Sequence, residues 1–383
     1  MIRQTALFLV FFHFFSLDSP GQVRIRLFAG LDPGSVFITV SQGRYELDSF
    51  DGPPLFLSEG ESVIISRYEN RLALKTRDGK GFSCDSVFLK GITGNDTFTC
   101  RKNGSNPVRR LYSNDLLCYH DMETLMLINI CDEEKYIAGV VKAEGGSGRN
   151  AEYFKSQAVL VRTYLYGNLN RHIIDHYNLC DDVHCQAFHG ITSDQVIVRA
   201  AEETRGLVVV DKDSILIMPS FHSNCGGETS GSGEVWLTGK SYLRSVRDPW
   251  CTSSPNAVWQ KSIPFGEWVG YLRKNGYNGS DDNPAAFSFP QVARTDNYRV
   301  GNFVLPFSVI RNDLGLKSSF FSVTAGAGSV ELRGRGYGHG VGLCQEGAMV
   351  MASRGNDFRK IIAFYFSDVI ITDIGNAKNP VSF

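Results

Sequence analysis

The sequence predicts a β-rich α+β protein, and three observations carry that expectation. Short apolar runs separated by Gly, Asp and Pro turns fill the first hundred residues. Helical and extended patterns alternate from Leu125 onward. At 383 residues, with 43% hydrophobic and 21% charged content, the chain is long enough for two or three structural units and too apolar for wholesale disorder. The expected organisation is a small all-β module followed by a mixed, bilobal region with a central cleft.

The N-terminus places Arg3 before an apolar run from Ala6 to Leu17, interrupted only by His13 and Ser16. That run is short for a bilayer span and suits the core of a signal peptide. Residues 1–22 are therefore expected to export the chain, to the periplasm or the outer face of the cytoplasmic membrane. Ser16-Leu17-Asp18-Ser19-Pro20 lacks a clean small-x-small cleavage site, so an uncleaved anchor touching the membrane is the alternative. Nine cysteines suit an oxidising compartment, and their odd number leaves one without an internal disulfide partner. Cys84 with Cys100 is a reasonable bridge, and Cys118 with Cys131 a second. A net charge of −1 supplies no polycation for nucleic acid.

Residues 23–108 read as the β module, with strands at Val23 to Leu27, Ser35 to Val40 and Leu72 to Thr76. The Asn103-Gly104-Ser105-Asn106 stretch marks a turn or linker before a second region at 109–375 and a tail at 376–383. In that region a strand at Leu125 to Ile130 precedes a short helix ending at Glu144. There Ile137, Val140, Val141 and Glu144 share one face while Lys135 and Lys142 point away. Asp132 is the expected N-cap, Glu133 and Glu134 suit the first turn, and Gly145-Gly146 stop the helix. A carboxyl group on the apolar side of a helix end loses hydration, which raises its pKa toward general-acid range; an exposed last-turn glutamate is the plainer alternative.

A longer helix from about Ala151 to Tyr166 buries Phe154, Ala158, Val161 and Leu165. Another is expected from Ser193 to Thr204, with strands at Leu207 to Val210 and Ile215 to Met218. Trp250 to Ser322 reads as a mixed insertion with weak signals. A glycine-rich run, Gly334 to Gly342, leads into a helix from Gln345 to Ser353 and a last amphipathic segment containing Ile361, Ile362, Phe364 and Tyr365.

Three ordered motifs resemble the stage II sporulation protein D family, which includes the amidase enhancers. The first is Glu134-Lys-Tyr-Ile-Ala-Gly-Val-Val-Lys-Ala-Glu144 with Lys155-Ser156-Gln157-Ala158-Val159 and Arg162-Thr163-Tyr164. The second is Pro219-Ser220-Phe221-His222-Ser223 with Gly226-Gly227-Glu228-Thr229, Glu234-Val235-Trp236 and Tyr242-Leu243-Arg244-Ser245-Val246. The third runs from Gly334 through Gln345-Glu346-Gly347-Ala348 to Tyr365. The match spans residues 109 to 375. The family pattern usually has serine where this chain has Cys225, and commonly has serine where it has Cys344.

The resemblance implies a peptidoglycan lytic transglycosylase that cleaves the MurNAc–GlcNAc β-1,4 bond and leaves 1,6-anhydroMurNAc ends, with Glu144 as sole acid and base. One carboxylate suffices when the muramic acid's own C6 hydroxyl is the nucleophile, whereas ordinary glycosidases use two. Arg162, Tyr164, His222, Ser223, Trp236, Tyr242, His339 and Gln345 are the expected sugar-binding residues. The alternatives for these are an arginine at 162 that holds Glu144 in place or lies on the helix surface, a core tryptophan at 236 and a structural turn histidine at 339.

His172, Cys180, His184 and Cys185 offer two imidazoles and two thiols, a tetrahedral zinc set by ligand type. Their segment also resembles a zinc-binding loop found in some family members. With four protein ligands the single zinc would be structural, and the acid/base step would need no cofactor. A Cys180–Cys185 disulfide and a set with His176 replacing His172 are the alternatives. The competing functional class is a glycan-binding amidase enhancer that recruits a peptidoglycan amidase without cutting glycan. A zinc hydrolase is a weaker third reading. No Gly-x-Ser-x-Gly elbow surrounds Ser223, and Gly334 to Gly342 lacks a phosphate-loop lysine, so serine-hydrolase and nucleotide chemistry are disfavoured.

Overall fold

The computed structural model describes residues 21–31, 33–50, 52–103, 109–146, 150–236 and 238–378. The expected signal segment at 1–20 therefore lies outside the described residues, as do most of the linker at 104–108 and the end of the tail. Among the described residues no helix is long and apolar enough to cross a membrane. The fold is mixed, β-rich α+β, and its described residues divide into two compact units, one of residues up to 146 with 165–205 and the other of residues 150–164 with 206 onward.

The first unit begins with twelve strands: β1 (Gln22–Arg26), β2 (Ser35–Gln42), β3 (Arg44–Asp48), β4 (Leu55–Ser58), β5 (Ser62–Tyr68), β6 (Arg71–Thr76), β7 (Gly81–Cys84), β8 (Ser86–Gly91), β9 (Thr97–Lys102), β10 (Arg109–Ser113), β11 (Asp115–Asp121) and β12 (Thr124–Asp132). With β13 (Leu179–Cys180) they build a seven-stranded sheet, β13-β1-β12-β11-β8-β3-β4, and a six-stranded one, β10-β9-β2-β5-β6-β7. Alternating burial in β2, β5 and β6 is the period-two pattern of strands covered on one face. Tyr45 of β3 meets Phe98 of β9 edge to face at 5.8 Å, so the sheets share one apolar interior. The two strands flanking the 104–108 linker, β9 and β10, pair antiparallel, and β11 and β12 complete the sheet that β1 and β8 begin.

β12 is buried from Leu125 to Cys131 without alternation because neighbours cover both its faces. It runs straight into α1 (Glu133–Gly145), where the Asp132 carboxylate caps the Lys135 N–H at 3.1 Å. Gly146, at φ 77°, ends the helix one residue after Gly145. α2 (Ala151–Gly167) buries the expected Phe154, Ala158, Val161 and Leu165, and α3 (Gln195–Glu203) follows the loop after β13.

The second unit holds the short pairs β14 (Leu207–Val210) with β22 (Ile370–Asp373), β15 (Phe221–His222) with β21 (Leu343–Cys344), and β17 (Asn297–Val300) with β18 (Phe303–Pro306). Its three-stranded sheet orders β16 (Val258–Pro264), β20 (Ser329–Arg335) and β19 (Phe321–Ala325). Five helices complete it: α4 (Ser232–Val235), α5 (Phe265–Lys274), α6 (Phe307–Asp313), α7 (Gln345–Ser353) and α8 (Phe358–Tyr365).

The structure fills in one sequence expectation and corrects two. The stretch with weak signals, 250–322, contains a defined apolar core in which Trp268, Phe287, Tyr298, Phe307 and Phe321 pack with almost no exposure. Ile215 to Met218 is not a strand but two isolated bridges, Val210 to Leu216 and Ile215 to Lys378. All nine cysteines are free and buried, so the bridges expected for Cys84–Cys100 and Cys118–Cys131 are not formed.

Candidate functional site

Glu144 sits in the last turn of α1, half-buried, on the side where Ile137, Val140 and Val141 are fully buried. It lies between the two expectations, neither fully dehydrated against its apolar neighbours nor free in solvent. One carboxylate oxygen, Oε1, accepts the Ala187 N–H at 3.0 Å. That amide belongs to the loop carrying the sulfur and imidazole groups, so carboxylate and loop are built as one piece.

The loop is fastened at several points. β13 runs parallel to β1, pairing Cys180 with Arg26. The next residue, Asp181, accepts N–H bonds from Phe28 at 2.7 Å and Ala29 at 3.0 Å, and pairs with Arg110 at 2.7 Å. Beyond Cys185, Tyr136 of α1 donates its hydroxyl to Gln186 at 3.3 Å, and its ring lies 5.0 Å from that of Phe188. Gly139 makes this approach feasible, since a Cβ there would stand 2.5 Å from both Phe188 Cε2 and the Gly190 carbonyl oxygen.

His172, Cys180, His184 and Cys185 bring one ligand atom each within 4.8 Å of one another. Cys185 Sγ lies 3.5 Å from His172 Nε2 and 3.6 Å from His184 Nδ1, while Cys180 Sγ lies 3.7 Å from His184 Nδ1. Such spacings match the edges of a tetrahedron with metal–ligand bonds of about 2.0–2.3 Å. His172 also directs Nδ1 at Asp175, 3.4 Å away, the carboxylate–histidine contact that orients a metal-binding ring. His172 rather than His176 completes the set, and the two thiols are not bridged.

The other sequence-selected residues lie in the second unit. Arg162 is fully buried and donates from Nη1 to the Leu207 carbonyl at 3.2 Å. Tyr242 is 8% exposed and its hydroxyl accepts the Met218 N–H at 2.9 Å. Gln345, at the start of α7, lies 3.4 Å from Gln157 and is nearly enclosed. These three are inward-facing rather than displayed.

His222 is 4% exposed and donates from Nδ1 to the Val341 carbonyl at 3.1 Å. Its Nε2 is buried and meets no partner among the described residues. Burial holds its pKa well below the usual value. His339 is bonded at both ring nitrogens: Val341 N–H donates to Nδ1 at 3.0 Å, and Nε2 donates to the Phe221 carbonyl at 3.0 Å. Those bonds define one neutral tautomer, and burial lowers its pKa to about 4. His339 lies between the other two rings, 5.6 Å from that of Trp236 and 5.5 Å from that of His222, and Trp236, His339 and the nearby Ser223 are partly exposed. Tyr164, near the end of α2, is also partly exposed.

Sequence reasoning missed the Asp181–Arg110 tie and a second cluster, Cys225, Asp248, Cys251 and Cys344, whose ligand atoms also lie within 4.8 Å of one another. The unexpected cysteines at 225 and 344 were its only sequence signal.

An α+β protein with a carboxylate at a helix end, braced by a thiol–imidazole loop, is the class defined so far. Residues 121–210, which contain α1, α2 and that loop, match the family described as Stage II sporulation protein. The chain is 26% identical over 349 residues to Stage II sporulation protein D of Bacillus amyloliquefaciens, covering 84% of this chain and 96% of the relative. It is 26% identical over 323 residues to an uncharacterized protein of Brachyspira hyodysenteriae, with 82% and 85% covered. It is also 26% identical over 292 residues to the Amidase enhancer of Bacillus subtilis, covering 62% of this chain and 40% of that one. The chain thus carries a stage II sporulation protein domain and is related to stage II sporulation protein D and an amidase enhancer at modest identity over most of its length.

Proposed function

We propose that the chain serves cell-wall remodelling, and that it does so as a peptidoglycan lytic transglycosylase with Glu144 as acid and base. Its similarity to a stage II sporulation protein D and to an amidase enhancer supports the cell-wall role. The observation that carries the finer reading is the Ala187 N–H on Glu144 Oε1 at 3.0 Å, which holds a half-buried carboxylate at a helix end in a fixed direction. A carboxylate so oriented is suited to deliver a proton to a departing glycosidic oxygen and then take one from the C6 hydroxyl of the same muramic acid.

Zinc is proposed at His172, Cys180, His184 and Cys185. A closed four-ligand site orders a loop without activating water, and here the ordered loop ends two residues before the amide that positions Glu144. On the second unit, Tyr164, Ser223, Trp236 and His339 keep exposed surface and are assigned sugar contact. Arg162, His222, Tyr242 and Gln345 are assigned to shaping that surface from beneath, because each is buried. Export across the cytoplasmic membrane is part of the same proposal, since peptidoglycan lies outside it.

The test is digestion of purified glycan strands by native protein and Glu144→Gln in parallel, with mass analysis of the products. The native protein should yield 1,6-anhydromuramyl ends and the variant should lose on the order of 10² to 10⁴ in rate, the size of a general acid–base contribution. Anhydro product at an undiminished rate from the variant sinks the assignment of Glu144. No anhydro product from either, together with stimulation of a peptidoglycan amidase, points to the enhancer instead.

A further inference from the structure

Cys225, Asp248, Cys251 and Cys344 come from three separate stretches of the second unit, and all four are fully buried. Cys225 Sγ lies 3.3 Å from Cys251 Sγ and 3.2 Å from Asp248 Oδ2. Cys344 caps α7, its Sγ accepting N–H bonds from Gly347 at 3.4 Å and from Cys225 at 3.3 Å. Asp248 is oriented just as fully: Tyr365 donates its hydroxyl to Oδ2 at 2.9 Å, and Trp250 its N–H to Oδ1 at 2.8 Å.

Amide N–H groups directed at sulfur favour a thiolate over a thiol, as does the positive end of a helix. A carboxylate with no solvent exposure among three sulfurs, and with no cationic side chain among its hydrogen-bond partners, is costly unless a positive charge joins it. The donors crowd within 4.8 Å, which leaves room for one ion and not for a multi-iron cluster whose ligands occupy separate corners. A tetrahedral zinc with bonds of about 2.3 Å to sulfur and 2.0–2.2 Å to oxygen has ligand–ligand edges of about 3.5–3.8 Å, within about half an ångström of the 3.2 and 3.3 Å spacings found.

We propose that Cys225, Asp248, Cys251 and Cys344 form a second, wholly internal metal site that takes one zinc ion. Three thiolates and a carboxylate make a closed, structural set that leaves no open position for water. The ion joins the loop carrying Ser223, the turn at Asp248 to Cys251 and the start of α7, with Tyr365 of α8 as the outer support. The site is separate from the His172 set and independent of whether Glu144 cuts glycan.

The whole chain, purified with reductant and without chelator, is weighed by native mass spectrometry and its zinc measured by elemental analysis. Cys251→Ser, isosteric with the native residue, is expected to lower the zinc content by one equivalent per chain, whereas Cys180→Ser removes a different one. Equal zinc in native protein and Cys251→Ser overturns the site. A Cys225–Cys251 disulfide in the unreduced peptide map of native protein also overturns it. Should Cys251→Ser fail to fold, cobalt loading of the native chain decides. A second equivalent with thiolate-to-cobalt charge-transfer absorption beyond that of the two-thiolate set supports the site, and absorption from two thiolates alone refutes it.

Discussion

The two sulfur clusters offer the same number of donors in opposite settings. His172, Cys180, His184 and Cys185 lie on one loop with His184 exposed, whereas Cys225, Asp248, Cys251 and Cys344 have no exposure and come from three segments. A loop site orders its own neighbourhood and, through Ala187, the carboxylate beside it. An internal site is part of the core, so losing it exposes packed surface as well as ligands. Removing the proposed zinc from the first should therefore act locally, and from the second on the stability of its whole unit.

Arg110→Met tests the local side of this contrast with the largest expected effect on stability. The substitution removes the cation from a pair in which the Arg110 and Asp181 side chains are 14% and 3% exposed. Burial already pushes the Asp181 carboxyl upward, so without Arg110 it must take a proton or remain charged in the interior. Breaking such a pair costs about 3–5 kcal/mol. Thermal unfolding should show the loss, while Cys251-dependent zinc stays in place. A loss of zinc from both clusters would break the distinction between local and internal sites.

The second unit carries the next largest effect, in its pH dependence. His339 titrates near 6.5 when unfolded and at about 4 when folded, with burial as the main cause. The unfolded chain therefore binds the extra proton first as pH falls, and the stability present above about 6.5 is lost toward pH 4. The difference between the two values bounds the effect at roughly 3 kcal/mol. His222 shifts in the same direction, and Arg294 and Arg311 oppose protonation of His339. Midpoints measured from pH 7 to 4.5 should fall more steeply in native protein than in His339→Gln. Parallel slopes would refute burial of the neutral ring.

The contrast also explains what was legible. The first cluster was readable because its donors are close in sequence and of the right ligand types, although the adjacent His184-Cys185 is not a usual metal spacing. The second was not, because only pairing of β15 with β21 and the turn at Asp248 bring its members together. Strands β2 and β6 announced themselves by alternation, and α1 by its cap and terminal glycines. β16 gave no such signal, since nearly all of its residues keep contact with solvent and only Ile263 is buried. Arg162 and Tyr242 looked like surface binders because residue type reveals chemistry, whereas direction depends on what packs above. The Glu144 helix was read correctly, but the amide that orients its carboxylate comes from 43 residues away and has no signature, because every residue except proline carries an N–H.

The smallest effect sharpens the link between loop and carboxylate. Gly139 lies in the middle of α1, where alanine would ordinarily favour the helix. Here the added methyl would stand 2.5 Å from the Gly190 carbonyl oxygen and from the Phe188 ring, so the loop must move outward. Overpacking of this kind costs about 1–3 kcal/mol, against which the better helix propensity returns about 1. Gly139→Ala should therefore lower the unfolding midpoint by a few degrees, at roughly 2–4 °C per kcal/mol for a unit of this size. Because the displaced segment includes Ala187, the same variant should lose glycan-cutting rate at unchanged zinc content. If rate and zinc both stay at native values while the midpoint falls, the loop holds the fold without directing Glu144.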